Sequence, residues 1–461
     1  MDPADITTLV NTQRAFFNTG RTKDLSFRIA QLKLFRKVID DNEDSICEAL
    51  KHDMNKPKFE AYVGEIAMLY NEIDYAIRHV KSWAKPKKVT TPLVHFPGKS
   101  QIYSEPLGVV LIIGTWNYPI QLILCPLVGA MAAGNCAILK PSRMAPHTSD
   151  LVARIIAENF DPGFIAAVQG GAEDVKNLID CRLDHVFFTG GTSVGRIIAE
   201  AAARKLTPVT LELGGKSPCV VDREVHPDYA ARRITWGKFF NAGQTCVAPD
   251  YLMVHKSRKR EILQGIQRCI KEFYGKDPHD SPDYARIIND RHFDRLSGLL
   301  NEGDIILGGK TISAERYIDP TVIDNASWDH KIMQDEIFGP LLPVIEYEDL
   351  AQAVSMINQR PKPLSLYFFS TNKEAQRTVL HATSSGGCTI NDTIVHLSTQ
   401  TLPFGGVGDS GTGKYHGQAS FDTFSNKKSV LCRSFLVDMP LRYAPYGKKL
   451  PMVKKMLKYF G

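Results

Sequence analysis

From Gly108 onward the chain alternates short, continuous apolar runs with helix-like stretches, and that rhythm limits the fold more than any other feature. Val109 to Ile113, Cys136 to Leu139 and His185 to Phe188 are such runs, with helical patterns between them at His147 to Asn159 and beyond them at Ser193 to Arg204. A strand apolar on both faces must be covered on both faces, and strands joined by helices run parallel, so these segments predict an open parallel sheet with βα crossovers. A second series follows: Pro218 to Val221, Tyr251 to Val254, a helix near Arg258 to Phe273, Leu341 to Glu346, a helix near Leu350 to Gln359, Leu364 to Phe369 and Gly387 to Ile390. Two α/β units in tandem are the expectation.

Upstream, Phe27, Ile29, Leu32, Phe35, Val38, Ile39, Ile46 and Leu50 recur at intervals near three and four, and a second helical stretch runs from about Phe59 to Trp83. Pro86, Pro92 and Pro97 with a cluster of lysines then break the pattern, and Phe96-Pro97-Gly98-Lys99 reads as a hairpin turn. A length of 461 residues suits two to four packed units, and 43% hydrophobic with 23% charged residues is an ordinary soluble mix. The net charge of +6 is small against 56 basic and 50 acidic residues, with no basic block in the body of the chain, which argues against a nucleic-acid partner. No apolar run approaches the roughly 18 to 20 residues of a membrane span, and the first residues lack a signal-peptide pattern, so a cytoplasmic location is expected. Nine scattered cysteines form no CxxC or Cys/His cluster; neither disulfides nor a metal site is expected, and most of these thiols read as small buried apolar groups.

Four segments carry candidate chemistry. Phe188-Thr189-Gly190-Gly191-Thr192-Ser193-Val194-Gly195 links a strand to a helix, where glycines let backbone approach a pyrophosphate at a helix N-terminus. It lacks the GxGxxG spacing, and a plain turn is the competing reading. Leu211-Glu212-Leu213-Gly214-Gly215-Lys216 buries one carboxylate, whose desolvation would raise its pKa toward that of a general base; a pairing with Lys216 or Arg204 is the alternative. Phe240-Asn241-Ala242-Gly243-Gln244-Thr245-Cys246 ends a polar loop on a lone cysteine, either an accessible nucleophile or a buried structural thiol. Gly114-Thr115-Trp116-Asn117-Tyr118-Pro119 puts an amide after a strand, as a turn former or as a donor to a developing oxyanion.

Together these residues resemble the aldehyde dehydrogenase family, and Ile234-Thr235-Trp236-Gly237-Lys238-Phe239-Phe240 is most similar to its class 3 and fatty-aldehyde branch. The resemblance covers nearly the whole chain: TWNYP at 115–119, KPS at 140–142, FTGGTSVG at 188–195, LELGGKSP at 211–218, GQTC at 243–246, EIFGP at 336–340 and PFGGVGDSG at 403–411, in family order. It implies an aldehyde dehydrogenase-like α/β fold: a variant Rossmann dinucleotide-binding domain (1–88 and 106–211), a catalytic domain (212–418), a small β oligomerisation extension (89–105 and 419–435) and a basic amphipathic tail (436–461).

The family's roles carry over residue by residue. Cys246 would attack the aldehyde, the Asn117 amide and the Cys246 N–H would hold the oxyanion, hydride would pass to the nicotinamide, and Glu212 would activate the water that hydrolyses the thioester. The resemblance implies a cofactor of NADP or NAD held by Ile113, Thr115, Trp116, Lys140, Ser142, Arg143, Gly190, Gly195, Glu336, Phe338 and Phe404. Arg143 is a departure. NAD-preferring relatives usually carry a glutamate there, and a guanidinium instead favours the 2'-phosphate of NADP.

Tyr118, Trp236, Phe240, Ile394 and His396 are the expected substrate pocket, joined by Ile120, Leu122 and Phe239. The set is mostly apolar, so an aliphatic or aromatic aldehyde is expected. The resemblance also implies a homodimer in which the hairpin near 92–106 and the strand near 428–433 extend the partner's sheet. An apolar strand is expected at Ser429 to Leu436. From Pro451 onward, Lys454, Lys455 and Lys458 interleave with Val453, Met456, Leu457 and Phe460 in a short amphipathic helix that suits either an anionic membrane surface or packing against protein. The competing functions are a CoA-acylating relative and a catalytically silent binding protein.

Overall fold

The computed structural model describes residues 2–438 and 440–460. Two open sheets dominate it. The first has six strands in the order Gly411–Thr412, Val209–Glu212, His185–Thr189, Val109–Ile113, Cys136–Lys140 and Ile165–Ala167. All its pairings are parallel except that of Gly411–Thr412, a short strand that returns late in the chain. The second has seven strands in the order Asp304–Leu307, Thr321–Asp324, Leu341–Tyr347, Tyr251–His255, Pro218–Val221, Ser365–Phe369 and Gly387–Ile390. It too is parallel apart from its Asp304–Leu307 edge. Three of the first sheet's strands, Val109–Ile113, Cys136–Lys140 and His185–Thr189, are buried along their whole length, as the uninterrupted apolar runs demand, and Leu341–Tyr347 and Ser365–Phe369 show nearly the same burial in the second.

The helix Gln121–Ala133 between the first two strands of that sheet is buried at every position. Being apolar on all sides it leaves no 3.6-residue signature, and its faces are taken by Ala67–Trp83 and Gly417–Thr423. At the N-terminus, Pro3–Asn18, Leu25–Asp41 and Glu43–Met54 pack as amphipathic helices, and a single π-turn, Tyr62–Ile66, joins Lys58–Ala61 to Ala67–Trp83.

Lys87–Val89, Lys99–Pro106 and Ser425–Cys432 form a separate antiparallel sheet. The last strand starts four residues before the expected Ser429 and ends at Cys432. Its first half, Ser425-Asn426-Lys427-Lys428, is polar and held by the ladder to Lys99–Pro106 rather than by apolar burial, so hydropathy could not locate it. The final helix likewise starts earlier than expected, at Lys449, and Pro451 sits in its first turn, where its missing N–H costs nothing. The side chains of Met456 and Phe460 lie outside the described residues.

Candidate active site

The parallel strands of the first sheet bring their C-terminal ends together, and the candidate residues sit on or just beyond those ends. Glu212 closes Val209–Glu212, in register with Thr189 and Gly411. Asn117 follows Val109–Ile113, and Lys140 ends Cys136–Lys140.

Cys246 is placed by an irregular loop after the helix Pro227–Phe239. Asn241, Ala242 and Gly243 have φ of 54°, 50° and 71°, three successive left-handed residues. Such backbone persists only where its surroundings dictate it, and here polar side chains do so. Asn241 Nδ2 donates to the carbonyls of Asn117 and Gln244, each at 3.1 Å. Gln244 Nε2 donates to Asn241 and Arg286 carbonyls, while its Oε1 accepts from Ile288 N–H at 3.0 Å. Gly243 has no room for a side chain, since a Cβ would stand 2.3 Å from the Gly339 carbonyl. Cys246 emerges half-buried on the wall of a chamber. Burial pushes its thiol well above the usual range, and Glu336 and Glu212 push it further; the backbone N–H groups of Cys246 and Val247 pull it back.

Asn117 donates one amide hydrogen to the Gln244 carbonyl at 3.0 Å, which leaves its second N–H free of that bond. Its own carbonyl accepts from Lys56 Nζ at 2.9 Å. That lysine is fully buried against Glu65, whose other oxygen accepts from Ile120 N–H at 2.8 Å and Gln121 N–H at 3.3 Å. Lys56 also lies 4.2 Å from the centroid of the Tyr118 ring, and the Tyr118 hydroxyl bonds Thr245 Oγ1 at 2.7 Å. The 117–121 turn and the cysteine loop are thus fastened to one buried ion pair.

Glu212 is 3% exposed and neither carboxylate oxygen has a hydrogen-bond partner among the described residues. The expected alternative, a pairing with Lys216 or Arg204, does not occur: Lys216 donates to Asp250 at 2.5 Å and to the carbonyls of Ile332 and Asp335. Desolvation raises the Glu212 carboxyl well above its ordinary value, opposed only by Lys414. Gly405 makes room for the carboxylate, since a Cβ there would lie 2.6 Å from Oε1. Glu336 is raised to about 8, first by burial and then by Asp250, and Gly214 yields space to it in the same way.

The expected cofactor contacts from the first sheet lie at or just beyond the C-terminal ends of its strands. Lys140 Nζ donates to the carbonyls of Gly170 at 2.8 Å and Pro141 at 3.1 Å. Ser142 Oγ accepts from Met144 N–H, and the exposed Arg143 guanidinium leans over the Gly170–Gly171 turn with no carboxylate partner among the described residues. Ile113 is buried and Thr115 half-buried at the end of their strand. Trp116 packs edge-on against Phe338, ring centroids 5.2 Å apart, and Phe338 itself has a φ of 51°. Gly191 caps the helix Thr192–Ala203 with nothing within 4 Å of where a Cβ would be, and Thr189 Oγ1 is buried without a partner. Gly190 and Gly195 do different work: a Cβ at either would collide with Phe188 or Leu213, so they allow close packing against those side chains.

The chamber in front of Cys246 measures about 820 Å³ out to its open mouth. Tyr118, Leu122, Trp236, Phe240 and Ile394, named above for the substrate pocket, line it, together with Phe404, which was placed with the cofactor. His396 does not line it. That ring is tied to Ser365 and Thr389 hydroxyls and stands behind Phe404, 5.9 Å away between centroids. Ile120 and Phe239 belong to the core. Sequence reasoning missed Val63 and Gly64 from the π-turn and Met68 from the helix after it, Lys56, Glu65 and Lys414, and His416 on the far wall. A signal existed for Glu65 and Glu72: both fall on the apolar stripe of one helical stretch, seven residues apart, where an acid needs a reason to be.

The aldehyde dehydrogenase family model matches residues 1–430. The chain is 48% identical over 447 residues to a 4,4'-diaponeurosporen-aldehyde dehydrogenase of Staphylococcus aureus, covering 96% of this chain and 97% of that protein. It is 46% identical to a dimeric NADP-preferring aldehyde dehydrogenase of Rattus norvegicus, covering 97% and 99% respectively. A solved structure of Staphylococcus aureus AldH in a substrate-bound state superposes with a TM-score of 0.96 at 47% identity, covering 98% of this chain and 99% of that one. Likeness over the full length, in sequence and in three dimensions, establishes that this chain belongs to the aldehyde dehydrogenase family.

Proposed function

We propose that the protein oxidises apolar aldehydes to carboxylic acids with NADP+ or NAD+, with Cys246 as nucleophile, Asn117 as oxyanion donor and Glu212 as general base. One observation carries this reading: a cysteine at the wall of an apolar chamber, between an amide with an uncommitted N–H and a buried carboxylate with no partner.

The Cys246 thiol is neutral where it lies, so attack on the carbonyl carbon requires its proton to move to a neighbouring carboxylate; Glu336 and Glu212 both have raised proton affinity and act on it electrostatically. The new oxyanion is held by Asn117 Nδ2–H and by the Cys246 N–H. A bound nicotinamide dinucleotide supplies the hydride acceptor. Its fit is supported by the open helix start at Gly191, the partnerless Thr189 hydroxyl, and Lys140 with Arg143 at and just beyond a strand end. Glu212 then takes a proton from water, the hydroxide adds to the thioester, and the sulfur departs. Arg143, cationic and free of a carboxylate, favours the phosphorylated dinucleotide.

The test is the absorbance of reduced cofactor on adding a straight-chain aldehyde, with and without CoA, in wild type and Cys246→Ala. Turnover to free acid that Cys246→Ala abolishes is expected; turnover surviving in that variant, or depending on CoA, defeats the proposal.

The assembly we infer is a homodimer formed through the three-stranded sheet, whose outer strand Ser425–Cys432 is mostly exposed. We also infer that the protein is cytoplasmic and that its tail rests on an anionic membrane surface: Leu436, Leu450, Met452 and Leu457 are exposed beside the terminal lysines, and among the described residues no helix is long and apolar enough to cross a membrane. Flotation with anionic vesicles, lost on truncation at Tyr446, checks that inference.

A further inference from the structure

The chamber has one wall that its apolar character does not explain. His416 lines it, 4% exposed, and its Nδ1 lies 3.5 Å from Oε2 of Glu72, itself 2% exposed. Glu72 Oε1 accepts from Gly417 N–H at 2.7 Å and meets Ser420 Oγ at 3.5 Å; the His416 N–H donates to Ser420 Oγ at 2.8 Å. Tyr415 stacks on the imidazole, centroids 4.1 Å apart, and Phe404 stands 5.8 Å away. His416 Nε2 has no hydrogen-bond partner among the described residues. The residue also adopts φ 76° and ψ 132°, a backbone region that side-chain-bearing residues avoid. A buried, partnerless ring nitrogen in a strained backbone, backed by a buried carboxylate, is costly as mere structure.

Building on the dehydrogenase reading above, we propose that His416 Nε2, oriented by Glu72, is a hydrogen-bonding subsite for a hydroxyl group carried by the aldehyde substrate away from its reacting carbonyl. Nε2 of a neutral ring carrying its proton on Nδ1 is an acceptor, and Nε2 of a doubly protonated ring is a donor. A hydroxyl satisfies both states. An alkyl chain satisfies neither, and a second carboxylate would meet the charge of Glu72 across the ring. The subsite lies apart from the sulfur's own partners: the groups acting on Cys246 are Glu336 and Glu212, not His416. It therefore sorts substrates rather than performing bond changes.

The experiment compares kcat/KM for n-alkanals and their ω-hydroxy counterparts, from five to ten carbons, in wild type, His416→Phe, His416→Gln and Glu72→Gln. Wild type is expected to prefer the hydroxyaldehyde about tenfold at the chain length that reaches His416, as one hydrogen bond allows. His416→Phe is expected to erase that ratio and His416→Gln, which keeps a polar end, to restore part of it. Because the ratio is taken within each variant, a general loss of stability does not move it; if His416→Phe does not fold, the Glu72→Gln ratio decides, with a fall expected. A flat ratio at every chain length in active wild-type enzyme overturns the subsite, as does a preference that survives all three substitutions. No turnover of either aldehyde series in wild type would instead strike the dehydrogenase reading itself.

Discussion

Glu65 and Glu212 are both sealed from water, and the protein treats them in opposite ways. Glu65 faces Lys56 and takes two backbone N–H groups, so its charge is compensated on both oxygens. Glu212 has no hydrogen-bond partner, and the nearest opposing charge, Lys414, spends its own bonds on the Gly386 and Gly405 carbonyls. The first arrangement fixes geometry: it holds the 117–121 turn through the Asn117 carbonyl. The second leaves a carboxylate without donors and so with a high proton affinity, as the proposed general base requires. Support is built from closed hydrogen-bond circuits here, and chemistry from one left open.

The largest effect should come from Glu212→Gln. General-base assistance contributes about 10² to 10⁴ in rate, so steady-state turnover should fall within that range while about one equivalent of reduced cofactor per site still forms in a burst, with an acyl group trapped on Cys246 by mass spectrometry. Unchanged turnover would erase the contrast. Lys56→Met attacks the compensated member. Breaking a buried pair costs about 3 to 5 kcal/mol, visible as a lower denaturation midpoint; the double variant Lys56→Met/Glu65→Leu should regain most of it, since no lone charge is then left.

Proton linkage separates the two acids more finely. Glu212 has a folded-state pKa above its unfolded one, so the native state binds the extra proton, and its stabilising contribution is lost as pH rises from the ordinary glutamate range toward the raised value. Glu212→Gln should flatten that decline in stability when denaturant midpoints are measured between pH 5 and 9, whereas wild-type activity should climb over the same interval as the base ionises. The smallest effect extends the contrast to a cation. Arg143 is open to solvent with no carboxylate partner among the described residues, and Arg143→Glu should lower the NADP+/NAD+ ratio of kcat/KM by about tenfold, the scale of one charge-assisted hydrogen bond. A ratio that does not fall would remove Arg143 from cofactor choice.

Much of this was legible before any coordinates. Parallel strands announce themselves because burial on both faces leaves unbroken apolar runs; Glu212 and Asn117 drew notice at the ends of such runs and Cys246 at the end of a polar loop, but their roles came from the family resemblance. Helix Gln121–Ala133 escaped because a segment apolar all round has no period. The Lys56 to Asn117 contact spans 61 positions and Glu72 to Gly417 spans 345, and no local spacing encodes a bond of that length. His396 was assigned to the pocket from composition, yet hydroxyls of two neighbouring strands turn its ring aside. The strand from Ser425 was half hidden because a ladder, not hydropathy, holds it.

The three left-handed residues before the cysteine bear on how such an enzyme can diversify. Since the sulfur's location is dictated by amide contacts reaching back to Asn117 and forward to Arg286 and Ile288, none of which touches the chamber, the surfaces that select a molecule and the scaffold that aims the reagent can mutate independently. Chamber residues outside those contacts, such as Trp236 or Leu397, have room to drift toward new cargo while the cysteine loop keeps its support.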